Sequence, residues 1–211
     1  MDELLNRVKN LIETCWSSFS AKVGGGVIAI NKEASMQLQF AYLLKNSLDL
    51  VIHNSDEEVR VELETTVEVD SRNRECDIML KVNKGELSVE LPIEMKCYKT
   101  KSSSGGYRGA QDLFRYGVYE DMELLEQYVS GNRVQGFQLS MTDSRNFPFP
   151  KSKDGKSWDY DISDGTIIRN GASINTPIGG KPASVTLNKD YEFNWVQYSD
   201  YYFLKLEGIN G

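Results

Sequence analysis

The sequence predicts an α/β fold, in which a mixed central β-sheet is flanked by helices and followed by a β-rich C-terminal extension. Three observations predict it: two amphipathic helical segments near the N-terminus, three adjacent segments with period-two alternation, and a further helix followed by another strand. At 211 residues, the chain is expected to form a single domain over 1–211. Its core would span about 31–142, with β-hairpins and loops over 144–211.

The helices are predicted from apolar residues at helical spacing. A first helix covers 2–19, a second begins after Asn31 as its N-cap, and a third covers 109–130. The predicted buried positions of the second helix are Ala34, Leu38, Ala41, Tyr42 and Leu44. Those of the third helix are Leu113, Phe114, Gly117, Val118, Leu124, Leu125 and Tyr128.

The strands are predicted from alternation between apolar and polar residues. This pattern covers 59–69, 76–82 and 87–97, and short turn-like connectors separate the three segments. Short connectors favour antiparallel neighbours, so the three strands should form a meander. A basic, Ser- and Gly-rich loop over 100–106 then leads into the third helix, and a strand over 134–141 follows that helix.

Composition limits the classes of function. The net charge of −7 argues against broad, nonspecific binding to nucleic acid, although it leaves room for a local basic strip beside a cleft. Three widely spaced cysteines favour reduced thiols in the cytoplasm and argue against a cysteine zinc site. A catalytic triad or a multi-histidine metal site would depend on His53, the single histidine.

Two carboxylates and a lysine stand out among the polar positions of the predicted meander. Alternation places Asp77, Glu94 and Lys96 on polar faces of adjacent strands. Paired carboxylates suit Mg²⁺ or Mn²⁺, and a nearby lysine can hold an attacking water or offset charge on a phosphorane-like transition state. The Glu-x-Lys spacing alone is weak evidence, since acidic-x-Lys recurs at 154–156, so the strand context carries the argument.

In that order and strand placement, the segments Cys76-Asp77-Ile78 and Pro92-Ile93-Glu94-Met95-Lys96 resemble the PD-(D/E)XK nuclease superfamily, which has the restriction-endonuclease-like fold. The resemblance covers residues 31–142. One departure is Cys76, which stands where the family has proline and leaves the following aspartate in place.

The resemblance implies a role for each matching residue. Asp77 and Glu94 would ligate Mg²⁺ (or Mn²⁺) together with the backbone carbonyl of Met95, and Lys96 would position the nucleophilic water. Many family members add an acidic residue from the preceding helix, and Glu33 occupies the matching place. The expected function is a metal-dependent DNA endonuclease of the restriction or phage-defence type.

The expected partner is nucleic acid, with double-stranded DNA as the favoured form, and a homodimer would allow two symmetric sites to cut both strands. The residues expected to contact nucleic acid are Lys99, Lys101, Arg108, Gln111 and Arg115.

Two other functions stay open at this stage: a non-catalytic binding module that recognises nucleic acid or a protein, and a hydrolase of small phosphoesters. A solvated sheet face with weak ion pairs would also explain the same polar residues.

Overall fold

The computed structural model describes residues 1–101 and 105–210, so part of the predicted basic loop, 102–104, lies outside the described residues. The helices are α1 (Asp2–Gly24), α2 (Glu33–Lys45) and α3 (Gln111–Tyr128), with short 3-10 turns at Leu48–Leu50 and Lys156–Asp159. The strands are β1 (Glu57–Val69), β2 (Arg72–Lys84), β3 (Leu87–Tyr98), β4 (Phe137–Thr142), β5 (Ile167–Ile168), β6 (Ala172–Ile174), β7 (Val185–Leu187), β8 (Tyr191–Glu192), β9 (Val196–Tyr198) and β10 (Tyr201–Glu207).

The central sheet is mixed, as predicted, and has the order β1-β2-β3-β4-β10-β9. Strands β1 to β3 form an antiparallel meander, and β4 pairs parallel to β3 after the α3 crossover. Strands β10 and β9 extend the sheet antiparallel to β4, so the C-terminal stretch contributes directly to the central sheet. No described helix has the length and apolar character needed to cross a membrane.

The two faces of the sheet are covered by different elements. Helices α1 and α2 pack on one face and bury the largest apolar core, which includes Ile78, Ile93 and Met95. Helix α3 packs on the other face, together with side chains of the C-terminal stretch (144–210), such as Phe193 and Leu204. Both faces of the middle strands are therefore covered, and Glu94 and Lys96 of β3 face α3.

The predicted helices form, but the predicted details of α2 and α3 are partly wrong. The N-cap of α2 is Lys32 instead of Asn31. Leu38 and Tyr42 are 58% and 67% exposed, and Leu113 of α3 is also exposed. The buried residues of α2 are Met36, Gln37, Phe40, Ala41 and Leu44. Because this stripe passes through a polar glutamine, the apolar spacing is right for Ala41 and Leu44 but wrong for Ala34, Leu38 and Tyr42.

The β1–β2 hairpin is longer than predicted and bends in its middle. A two-residue turn at Asp70 and Ser71, with φ of 49° and 61°, joins the strands, so both strands extend to the turn. Asp77 consequently lies within β2 and does not open it. At Glu64, opposite Asp77, the backbone has φ of 51° and the regular pairing is interrupted between Leu63 and Thr65.

Residues on the two sides of Glu64 that share one alternating pattern pack in different hydrophobic cores. Before Glu64, Val59 contributes to the core beneath α1 and α2, whereas Val67 packs with α3 residues. The same change occurs in β2, where Ile78 belongs to the first core and Cys76 to the α3 side. Cys76 and Ile78 are both buried, as the alternation predicts, but in different clusters.

Close approach of two backbones at the start of β4 yields a stability prediction. A Cβ on Gly136 would overlap the Pro92 carbonyl group of β3. We expect Gly136→Ala to lower the free energy of unfolding by about 3 kcal/mol or more, because backbone on both sides must move. Urea unfolding measures this difference.

The matched control is Gly109→Ala, since a Cβ at that position meets no atom within 4 Å. Its unfolding free energy should change by less than about 1 kcal/mol. Equal stabilities for the two variants would contradict the close approach of β3 and β4.

Candidate functional site

The candidate site lies where β2 and β3 separate. Their regular pairing runs from Lys84↔Leu87 to Ile78↔Ile93 and ends there, after which β3 continues beside β4 alone. At this fork the Asp77 carboxylate accepts a hydrogen bond from the Met95 backbone N–H, at 2.6 Å from Oδ2 to N. The Asp77 carboxylate thus provides a hydrogen-bond acceptor for a backbone N–H of β3 where the regular pairing with β2 has ended.

Glu94 precedes Met95 on β3, and its side chain points toward α3. The residue is only 5% exposed, and its Oε1 accepts a hydrogen bond from the Tyr128 hydroxyl at 2.9 Å. Burial raises the pKa of Glu94 well above its usual value, and the negative charges of Asp121 and Asp77 raise it further. A buried carboxylate of this kind is not part of a solvated sheet face.

Lys96, two residues farther along β3, forms an ion pair with a carboxylate of α3. Its Nζ lies 3.1 Å from Oδ1 of Asp121 and 3.9 Å from Oε1 of Glu33. Burial lowers the pKa of Lys96, but the charges of Asp121 and Glu33 outweigh that effect and raise the pKa above its usual value. Lys96 is therefore a cation at neutral pH.

Helix α2 contributes polar groups from the opposite side of the fork. Glu33, in its first turn, accepts a hydrogen bond from the Cys97 backbone N–H at 3.0 Å. Gln37, one turn later, donates from Nε2 to the Asp77 carbonyl oxygen at 2.7 Å and to Glu64 Oε1 at 2.6 Å. These contacts tie α2 to the bend in the hairpin and to β3.

Excess negative charge characterises the whole cluster. Burial raises the pKa of Asp77 to about 6, while the Met95 N–H and Lys96 oppose that shift. Burial likewise raises the pKa of Asp121 to about 7, even though Lys96 is its ion-pair partner. Strongly shifted carboxylates in one cluster are typical of functional sites, although structural networks also produce them.

The donor chemistry of the cluster fits a hard divalent cation. Among residues 1–101 and 105–210, no set of three or more His, Cys, Asp or Glu side chains is arranged to hold a metal ion. Asp77 and Glu94 are nevertheless oxygen donors whose negative charge is poorly compensated, and a cation would relieve that excess. An ion held by these two would take its other ligands from water, a substrate or the Met95 carbonyl, as Mg²⁺ commonly does.

The five predicted site residues lie near one another. Asp77, Glu94 and Met95 are at the fork, and Lys96 and Glu33 are beside them. Asp77 and Glu94 lie on neighbouring strands at the fork, and Asp77 accepts a hydrogen bond from the N–H of Met95, the residue that follows Glu94. Lys96 and Glu33 meet at the end of the same stretch of β3.

The residues predicted to contact nucleic acid occupy different environments. Lys99 is bound on one side by the Tyr201 hydroxyl, at 3.0 Å, and on the other by Asp143, at 3.1 Å. Lys101 is exposed, with its Nζ 5.5 Å from the centre of the Tyr107 ring. Arg108 lies near the start of α2, where its guanidinium donates to the Asn31 carbonyl oxygen at 3.4 Å.

The two candidates on α3 do not share the environment predicted for them. Gln111 is exposed, and its Oε1 accepts a hydrogen bond from Asn146. Arg115 is buried: its guanidinium stacks 4.3 Å from the Trp158 ring and donates to Ser157. The structure therefore does not bring Arg115 to the surface beside Gln111, because the C-terminal stretch covers that side of α3.

Asp121, Tyr128 and Glu64 lie at the candidate site, and the sequence patterns do not single them out for it. A signal existed for Asp121, which falls four residues after Gly117 and four before Leu125, within the predicted buried stripe of α3. A charged residue in such a stripe indicates a buried partner. Gln37 lies one helical turn after Glu33, which is a signal for it. For Glu64 no comparable signal is visible, since its contact with Gln37 joins a strand to a distant helix.

Comparisons of this chain with protein-family models, with curated proteins and with solved structures found no match.

The raised pKa of Asp77 yields a prediction about the pH dependence of stability. In the unfolded chain an aspartate titrates near about 3.9, so between about pH 4 and 6 the folded state binds more protons and loses stability as the pH rises. An asparagine side chain cannot ionise. Relative to wild type, Asp77→Asn should therefore gain stability across this interval, by up to about 3 kcal/mol at about 1.4 kcal/mol per pKa unit.

Urea unfolding in EDTA at several pH values between 4 and 7 measures this difference. The exposed Asp200→Asn variant, which removes a carboxylate away from the fork, is the control. A constant difference for Asp77→Asn would contradict the raised pKa.

Proposed function

We propose that this protein is a metal-dependent nuclease of the PD-(D/E)XK type that hydrolyses phosphodiester bonds, with DNA as its substrate. The observation that carries the proposal is that Asp77, Glu94 and Lys96 lie close enough, where the β2–β3 pairing ends, for their charges to act on one another. The mixed sheet with its α3 crossover agrees with the fold that the sequence resemblance implies. Because a fold alone does not define an activity, the proposal depends on the site.

The buried Glu94 and the half-buried Asp77 would hold the metal ion at the fork. Asp77 and Glu94 are the proposed side-chain ligands. Burial raises the pKa of both carboxyl groups, neighbouring carboxylates raise it further, and a bound cation would offset both effects. When bound, Mg²⁺ supplies Lewis-acid chemistry toward a phosphodiester and a bound water. Tyr128 keeps Glu94 oriented by donating to Oε1, which leaves the other carboxylate oxygen for the ion.

Lys96 would act as a fixed cation beside the reacting phosphate. Because Asp121 and Glu33 keep it protonated, its ammonium group can donate hydrogen bonds to an attacking water or to a phosphate oxygen. It would thus position the water oxygen for attack on phosphorus and offset the developing negative charge. A protonated lysine does not serve as the general base. The proton of the attacking water would instead pass to solvent, since a bound divalent ion would lower the pKa of that water.

The substrate would approach from the side of the β3–α3 connection. The exposed Lys101 and the partly exposed Arg108 lie in this segment, whereas the chain as a whole is acidic. A local basic strip on an acidic protein restricts the orientation in which a polyanion can bind. We propose double-stranded DNA as the substrate and a homodimer as the form that cuts both strands.

Nuclease assays with matched variants test the proposal. Purified protein should cleave supercoiled plasmid in Mg²⁺ or Mn²⁺ and should not cleave in EDTA. Glu94→Gln and Lys96→Ala should each lower the cleavage rate by about 100-fold or more, because each removes charge from the reacting centre. Linear duplex, single-stranded DNA and RNA, tested in parallel, define the substrate.

The controls are Glu90→Gln on the same strand and Lys81→Ala on β2. Both residues form ion pairs away from the fork, with Arg133 and Glu62 respectively, and their variants should retain wild-type rates. Cleavage that survives Glu94→Gln would contradict the proposed site. An inactive wild type that binds a nucleic acid or a protein would favour the binding-module alternative.

A further inference from the structure

On the surface of α3 that faces β3, Gly117 has no side chain and leaves space next to the helix backbone. A Cβ on this residue would lie 3.0 Å from Cε of Lys96, 3.6 Å from Cδ and 4.0 Å from Cγ. The lysine stem therefore passes directly over the glycine, in space that other side chains would fill. Gly117 is an unfavourable residue in the middle of a helix, so a packing role explains its presence there.

One turn later, the same face of α3 presents the acceptor for the lysine head group. Asp121 follows Gly117 by four residues, and its Oδ1 lies 3.1 Å from Lys96 Nζ. Its other oxygen faces the Gln138 amide at 3.5 Å, and Gln138 is held in turn by Ser140 at 2.8 Å. The Asp121 side chain is 4% exposed, so it has no direct access to a substrate.

Glu33 differs from Asp121 in each of these respects. Its side chain is 41% exposed and 3.9 Å from the Lys96 ammonium, and it also accepts a backbone hydrogen bond from Cys97. Asp121 is the closer and more enclosed partner. The orientation of Lys96 is therefore set from α3 more than from α2.

From this arrangement we propose that Gly117 and Asp121 form a lysine-positioning niche: Gly117 admits the stem of Lys96, and Asp121 fixes its ammonium group at the reacting centre. The inference rests on the proposed nuclease function. Asp121 is a positioning residue here, since it acts through Lys96 and contacts neither the substrate nor the metal ion.

The principal test compares single and double variants in the Mn²⁺ cleavage assay. Asp121→Asn should lower kcat about 100-fold and leave KM nearly unchanged, because a misplaced lysine affects the transition state more than substrate binding. In a Lys96→Ala background the same substitution should lower kcat by less than about threefold. A full additional loss in that background would overturn the proposal.

The second variant, Gly117→Ala, separates positioning from folding. Alanine favours a helix more than glycine does, so the fold and the thermal unfolding midpoint should be retained. The added methyl group should nevertheless displace Lys96 and lower kcat, with KM unchanged. Wild-type kcat in Gly117→Ala would overturn the niche even if Lys96→Ala is too inactive for the double-variant comparison.

Calorimetry with Mn²⁺ supplies a readout that does not depend on turnover. Asp121→Asn should bind Mn²⁺ as wild type does, whereas loss of binding would assign Asp121 to the metal and overturn its positioning role.

The failure of the nuclease function and the failure of the niche give different results. If wild type, Glu94→Gln and Lys96→Ala cleave alike or not at all, the nuclease function fails and the niche fails with it. If only Asp121→Asn and Gly117→Ala behave as wild type, the niche alone fails.

Discussion

The separation of β2 from β3 is the constraint on which the candidate site depends. Once the regular pairing ends at Ile78↔Ile93, backbone groups of β3 need new partners, and the Asp77 carboxylate satisfies the Met95 N–H. Helix α2 stabilises the other side of the fork, through Gln37 and the bend at Glu64. The same contacts that complete the sheet hydrogen bonding thus hold an acidic side chain at an opening between strands.

Helix α3 converts this fork into an electrostatically unusual site. It buries Glu94 and places Asp121 against Lys96, so that carboxylates and an ammonium share a poorly hydrated space. The raised pKa values of Asp77, Glu94 and Asp121 mean that the cluster costs stability at neutral pH. Proteins commonly accept that cost where the charges serve a function.

Alternation along the chain is sufficient to predict the meander and the relation between Glu94 and Lys96 on β3. Local patterns do not reveal the interrupted pairing at Glu64, a residue whose side chain contacts Gln37 on α2. They also do not reveal that α3 covers the polar face of β3. For the same reason the prediction that Arg115 contacts nucleic acid is not supported by its position, since it packs on Trp158 of the C-terminal stretch.

The proposed function depends most on whether Asp77 and Glu94 form a divalent-cation site at the β2–β3 fork. Anomalous diffraction from crystals soaked in Mn²⁺ tests this most directly, since it locates the ion without relying on turnover. We predict a manganese peak within coordination distance of both carboxylates, lost in Glu94→Gln. Crystals that show no peak at the fork, or a peak only at exposed acidic residues elsewhere, would contradict it.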